Sequence, residues 1–140
     1  MEYRRFGDTL VCRMERGEEI LTQLKNIAEK ENIKLAEVRA LGAIDDFTVG
    51  CYDVSEKKYY KNHFTFPAEI TALYGNITTM DREYYAHLHL TCADKEGHAF
   101  GGHLNEAVIF ATCEMFIHVL DGTVDRIHDD ETGLNLFHFE

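Results

Sequence analysis

The stretch Tyr85–Leu104, YAHLHLTCADKEGHAFGGHL, decides how the rest of the chain is read. From His87 to Cys92 polar and apolar residues alternate, the pattern of a strand with one buried and one open face. Side chains two apart share a face, so His87, His89 and Thr91 point one way and Leu88, Leu90 and Cys92 the other. Asp94-Lys95-Glu96-Gly97 supplies a turn, and Gly97 suits the left-handed position that closes a three-residue hairpin loop. A loop of Lys95-Glu96-Gly97 pairs Asp94 with His98, and counting back along both arms sets His89 opposite His103. Directly opposed residues share a face, so the imidazoles of His87, His89 and His103 converge. Gly101-Gly102 removes side-chain bulk just before His103. Three histidines with no fourth protein ligand match a Zn²⁺-type site with an open position for water or substrate. The same spacing also suits a plain solvated strand face, and a slip of one residue would turn His103 to the opposite side. Register decides between the two.

Composition narrows the class. The chain has 140 residues, 45% of them hydrophobic, with nine Phe and seven Tyr. That suits one folded domain over residues 1–140 with a real core. No opening basic and apolar run marks a secretory signal, and no apolar stretch is long enough to cross a membrane, so a cytoplasmic protein is expected. Cys12, Cys51, Cys92 and Cys113 are too widely spaced for a CxxC motif and read as free thiols in a reducing compartment. The formal charge of −11, from 14 Lys+Arg against 25 Asp+Glu, argues against direct DNA binding, which needs a basic surface to displace counterions. Arg4, Arg5, Arg13 and Arg16 form a small basic cluster, read as ordinary surface charge.

In chain order, Tyr3–Met14 reads as a strand. Gly17-Glu18-Glu19 opens a helix whose acidic start complements the helix dipole. Ile20, Leu21, Leu24, Ile27 and Ala28 form its apolar stripe, and Asn32 is a left-handed stop. Strands follow at Lys34–Leu41, Phe47–Asp53, Tyr59–Phe66 and Glu69–Thr79, the last with Gly75 as a bulge. After the histidine hairpin, Asn105-Glu106-Ala107 reads as a connection, Val108–Leu120 as a strand, and Thr123–Ile127 and Leu134–Phe139 as closing strands. One helix among many strands indicates an α+β fold, a mostly antiparallel sheet with the helix packed on one face. Neither βαβ alternation nor a glycine-rich phosphate loop is present, which disfavours a nucleotide-binding fold.

Taken together, these residues resemble a known family. Arg13 with Gly17-Glu18-Glu19, Gly42-Ala43, Glu69-Ile70 with Leu73-Tyr74-Gly75, His87-Leu88-His89, Gly97, Gly101-Gly102-His103-Leu104, Thr112-Cys113-Glu114 and Thr132-Gly133-Leu134 follow the pattern of the plants-and-prokaryotes-conserved (PPC) domain. The resemblance implies a homotrimer, with a metal, usually zinc, on His87, His89 and His103. Plant members join the domain to an AT-hook, Arg-Gly-Arg-Pro, and use it for association with themselves and with transcription factors. Prokaryotic members are called candidate DNA-binding proteins on that basis. This sequence contains no Arg-Gly-Arg-Pro, so that label rests on analogy with another architecture.

Three functions follow as expectations. The first is a metal-binding homotrimeric module, using zinc or another divalent transition metal, that binds other proteins or a small molecule at the metal. The second is a metal-dependent hydrolase or lyase, whose general base would come from Glu114, Glu69 or Asp94. Glu114 has an equally good reading as a charge paired with an Arg at a subunit contact. The third is a DNA-binding regulator working through the arginine cluster. His63, His98, His118, His128 and His138 are assigned to hydrogen-bonded or solvated surface roles.

Overall fold

Alternating stretches rich in β-branched and aromatic residues put most of this chain into strands, which are longer than local patterns suggest. The computed structural model describes residues 1–139. Its elements are β1 (Glu2–Phe6), β2 (Thr9–Glu15), α1 (Ile20–Lys30), β3 (Ala36–Asp53), β4 (Lys58–Phe64), β5 (Ala68–Met80), β6 (Glu83–Ala93), β7 (Ala99–Val119), β8 (Asp125–Asp129) and β9 (Leu134–His138). Seven strands form an antiparallel sheet in the order β1-β2-β7-β6-β5-β3-β4, and β7 also pairs with β3. That extra pairing closes β3, β5, β6 and β7 into a circuit. β8 and β9 form a separate two-stranded hairpin. The α+β expectation, a mostly antiparallel sheet with one short helix, is met.

Several boundaries differ from the local reading. Residues 3–14 are two strands, because Gly7 at φ 61° turns the chain between Phe6 and Thr9. β3 runs unbroken through Gly42, where an added Cβ would lie 2.4 Å from the Thr112 carbonyl oxygen. The irregularity in β5 falls between Ile70 and Ala72 rather than at Gly75, which stays in register with both Val38 and Leu88. Asn105-Glu106-Ala107 is not a connection. β7 continues through it, with a register shift against β3 opposite Thr48 and Val49, and Asn105 accepts a hydrogen bond from the Tyr59 hydroxyl at 2.9 Å. Polar residues at a bulge look like a loop when read locally.

The helix begins at Ile20 because Glu19 caps it, its carboxylate accepting from the backbone N–H of Leu21 at 3.0 Å and of Thr22 at 2.7 Å. The same carboxylate accepts from Ala107 N–H at 3.2 Å, which ties the helix start to β7. Asn32, at φ 52°, ends it as expected. Ile20, Leu24, Ile27 and Ala28 are buried in the same apolar cluster as Leu10, Met14, Leu88, Leu90, Met115 and Ile117. Removing the cap should therefore cost more than helix propensity alone. Glu19→Ala is expected to destabilise the fold by about 1–2 kcal/mol, measured by urea denaturation at unchanged m-value.

Candidate metal centre

The hairpin carrying the histidines is closed by the turn its sequence specifies. Gly97 adopts φ 84°, Asp94 N–H donates to the His98 carbonyl at 3.1 Å, and Asp94 Oδ1 accepts from the N–H of Glu96 and of His98. Ala93 pairs with Ala99, and the register carries back to His89 opposite His103. At His103 strand β7 parts from β6 and takes up β3, with Gly50 opposite. The paired glycines are needed there. A Cβ on Gly101 would lie 2.6 Å from the Leu90 carbonyl oxygen, and one on Gly102 would lie 2.5 Å from that of Gly50.

One ring nitrogen from each of His87, His89 and His103 lies within 4.8 Å of the others. The ring centroids stand 5.2 Å (87 to 89), 5.0 Å (87 to 103) and 5.7 Å (89 to 103) apart. Zn–N bonds of about 2.0–2.1 Å need nitrogens about 3.4 Å apart in a tetrahedral centre, a distance small side-chain rotations can reach. The set therefore fits a borderline-soft divalent ion with three protein ligands and an open position. Such an ion would lower the pKa of a bound water or anchor an anionic group. Tyr59 packs its ring edge-on to His103, centroids 6.0 Å apart.

The histidines form the floor of a cleft of about 910 Å³ between the sheet face and the β8–β9 hairpin. Arg126 on β8 holds that hairpin down. It donates from Nε to Thr78 Oγ1 at 2.8 Å, from Nη1 to the Asn135 carbonyl at 2.7 Å and from Nη2 to Asn76 Oδ1 at 2.9 Å. Its guanidinium carbon lies 4.7 Å from the Tyr85 ring centroid and 4.4 Å from that of Phe137, a doubly stacked cation. Arg126 is only 5% exposed. Burial lowers its pKa from the ordinary value, and among the described residues no carboxylate pairs with it. Sequence reading missed Arg126, because nothing local to Asp125-Arg126-Ile127 says that the hairpin folds back over β5.

Burial, then the charges of His103, Arg126 and His89, pulls the His87 pKa down to about 4. Burial and His89 lower that of His103. Both rings are thus held in the neutral form that a metal requires. The sign for stability follows. Below the ordinary histidine pKa of about 6.5 the unfolded chain takes protons that the native state refuses. Stability of the metal-free protein should therefore be full above about pH 6.5, fall as pH drops towards 4, and fall no further on account of His87 below that. Urea titrations at pH 7.5 and 5 would show the loss, and His87→Gln should flatten it.

The other candidate residues are dispersed. Glu114 is exposed on β7, opposite Arg13 and Leu41. Glu69 is exposed on β5, opposite Ala43 and Ala93. Asp94 is engaged in its turn, and none of the three lines the cleft. Asp94, Glu96 and His98 come close enough to one another to hold an ion, but the Asp94 oxygens already serve the turn. His63 lies 2.7 Å from Asp46, His98 3.1 Å from Asp94, His118 3.5 Å from Asp8 and His128 3.7 Å from Asp130. In the arginine cluster, Arg5 pairs with Glu31 and Arg13 with Glu2 and Glu15, while Arg16 lies over the Phe110 ring. Tyr85 and Tyr59 line the cleft, whereas the Tyr84 hydroxyl is buried without a partner among the described residues.

Comparison with known proteins gives the family and the fold. The sequence profile of the Plants and Prokaryotes Conserved (PCC) domain matches residues 1–121. A metal-containing protein from Archaeoglobus fulgidus superposes with TM-score 0.89 at 32% identity, over 99% of this chain and 97% of that one. A plant- and prokaryote-conserved (PPC) protein from Pyrococcus horikoshii gives 0.85 at 28%, over 99% and 94%. A Bacteroides thetaiotaomicron protein to which DNA binding has been provisionally ascribed gives 0.96 at 26%, over 99% and 96%. No curated protein matches the sequence.

Proposed function

The chain belongs to the Plants and Prokaryotes Conserved domain family, and from that premise we propose that it is a metal-binding module, most simply a zinc module, with His87, His89 and His103 as ligands. The observation that carries this is the convergence of the three ring nitrogens on the floor of an open cleft. The metal-containing relative from Archaeoglobus fulgidus supports it. Elemental analysis of untagged protein tests it. About one equivalent of zinc or a neighbouring transition metal per chain is expected, and less than a tenth would remove the reading.

The module is a homotrimer in this reading, acting in the cytoplasm as a single domain that binds partners rather than as a stand-alone catalyst. Leu41 at 56%, Tyr74 at 60% and Phe116 at 38% exposure lie on the outer sheet face. In register they surround Arg39, whose guanidinium lies over the Phe116 ring. Exposed apolar groups clustered on one face mark association surfaces, and a cyclic assembly would cover them. Light scattering on the eluting protein should give three times the chain mass. Leu41→Asp combined with Phe116→Asp should reduce it to one.

Among the described residues no helix is long and apolar enough to cross a membrane, and Cys12, Cys51, Cys92 and Cys113 are all free thiols, as a reducing compartment would keep them. A hydrolase reading lacks support, since no described carboxylate lines the cleft to act as general base. Direct DNA binding is disfavoured by the charge of −11 and by the ion pairs that occupy Arg5 and Arg13.

A further inference from the structure

We propose that the cleft above the three histidines binds a small organic carboxylate, its anionic head directed to the open metal position beside Arg126 and its apolar body along Tyr85 and Phe137. This rests on the three-histidine metal reading and adds the class of ligand.

The first argument is charge. In a chain with 25 acidic residues in 140, the eighteen residues lining this cleft would carry about three by chance, and the described ones carry none. The one permanent charge among them is Arg126, a buried guanidinium whose named acceptors, Thr78, Asn76 and the Asn135 carbonyl, are all neutral. A buried cation ordinarily has a carboxylate partner. Here the position that could supply one, directly opposite His87 on β5, is Asn76. With a divalent ion on the imidazoles the cleft would be a strongly positive pocket within an acidic molecule. Such a pocket concentrates anions and repels cations.

The second argument is shape. About 910 Å³ lies within the usual range for small-molecule sites, which are mainly apolar with a few convergent polar groups. The walls follow that pattern, with the rings of Tyr52, Tyr85 and Phe137 and the amide of Asn135 among the lining groups. An aromatic or branched aliphatic carboxylate satisfies both ends of this cleft. Inorganic anions satisfy only one.

Cobalt(II)-loaded protein provides the test, because its visible absorption reports the metal's coordination without any assay of turnover. Benzoate should change that spectrum saturably and bind at least tenfold more tightly than acetate, while benzylamine should leave it unchanged. Asn76→Asp gives Arg126 a carboxylate partner 2.9 Å away. It should weaken benzoate at least tenfold in protein that still binds one cobalt per chain. Phe137→Ala should weaken benzoate and spare acetate. A cobalt spectrum that no carboxylate alters, equal binding of benzylamine, or wild-type benzoate affinity in Asn76→Asp would overturn this inference and leave the metal site standing. Failure to form a cobalt–imidazole spectrum at all would remove both.

Discussion

His89→Ala is expected to lower zinc affinity by at least about 100-fold and to move the melting temperature of the metal-free protein by no more than about 2 °C. The first half follows from ligand count. Loss of an outer partner to a metal ligand already costs about 10–100-fold, and loss of a ligand itself leaves two imidazoles for an ion that prefers four donors. The second half follows from placement. His89 is exposed on the outer face of β6, with neighbours across the ladder at Tyr74 and His103, and surface substitutions of this kind change stability by about 0.5 kcal/mol or less. Isothermal titration with zinc and a thermal melt in chelator check both halves. His87→Ala would be a poorer probe, because that ring is half-buried and its removal also costs packing. If affinity were unchanged in His89→Ala, the metal would sit elsewhere.

Gly75→Ala is expected to destabilise the fold by about 1–3 kcal/mol, the usual range for forcing an extra carbon into a packed site. Its Cβ would lie 2.2 Å from the His87 carbonyl oxygen and 2.6 Å from the Leu88 Cα. Both are backbone atoms, so β5 and β6 must separate at the residue that carries the first imidazole. Zinc affinity should fall together with stability, although Gly75 is no ligand. Urea denaturation with and without zinc separates the two effects. Undiminished stability would mean that the strands can shift at no cost, and a preorganised site would then lose its structural basis.

The features legible in the sequence were those with a local cause. Gly97 in its turn fixes the hairpin register, which places His89 opposite His103, and the spacing of Ile20, Leu24, Ile27 and Ala28 fixes the buried face of α1. Features created by distant pairing left no such mark. β7 passes through Asn105-Glu106-Ala107 because β3 is there to pair with it, and a bulge and a loop share the same residue types. Gly75 looked like a bulge but serves close strand approach, a demand set by the strands beside it. Arg126 and Asn76, fifty positions apart in sequence, meet only because the β8–β9 hairpin folds over β5. The three imidazoles could thus be found from spacing, whereas the roof that turns an open face into a cleft could not.

The central claim is met most directly by anomalous diffraction at the zinc edge, from crystals of untagged protein supplied with zinc. One ion bonded at about 2.0–2.2 Å to a ring nitrogen from each of His87, His89 and His103 is the expected result. An ion held elsewhere, or His103 turned away from the other two rings with no ion between them, would contradict it.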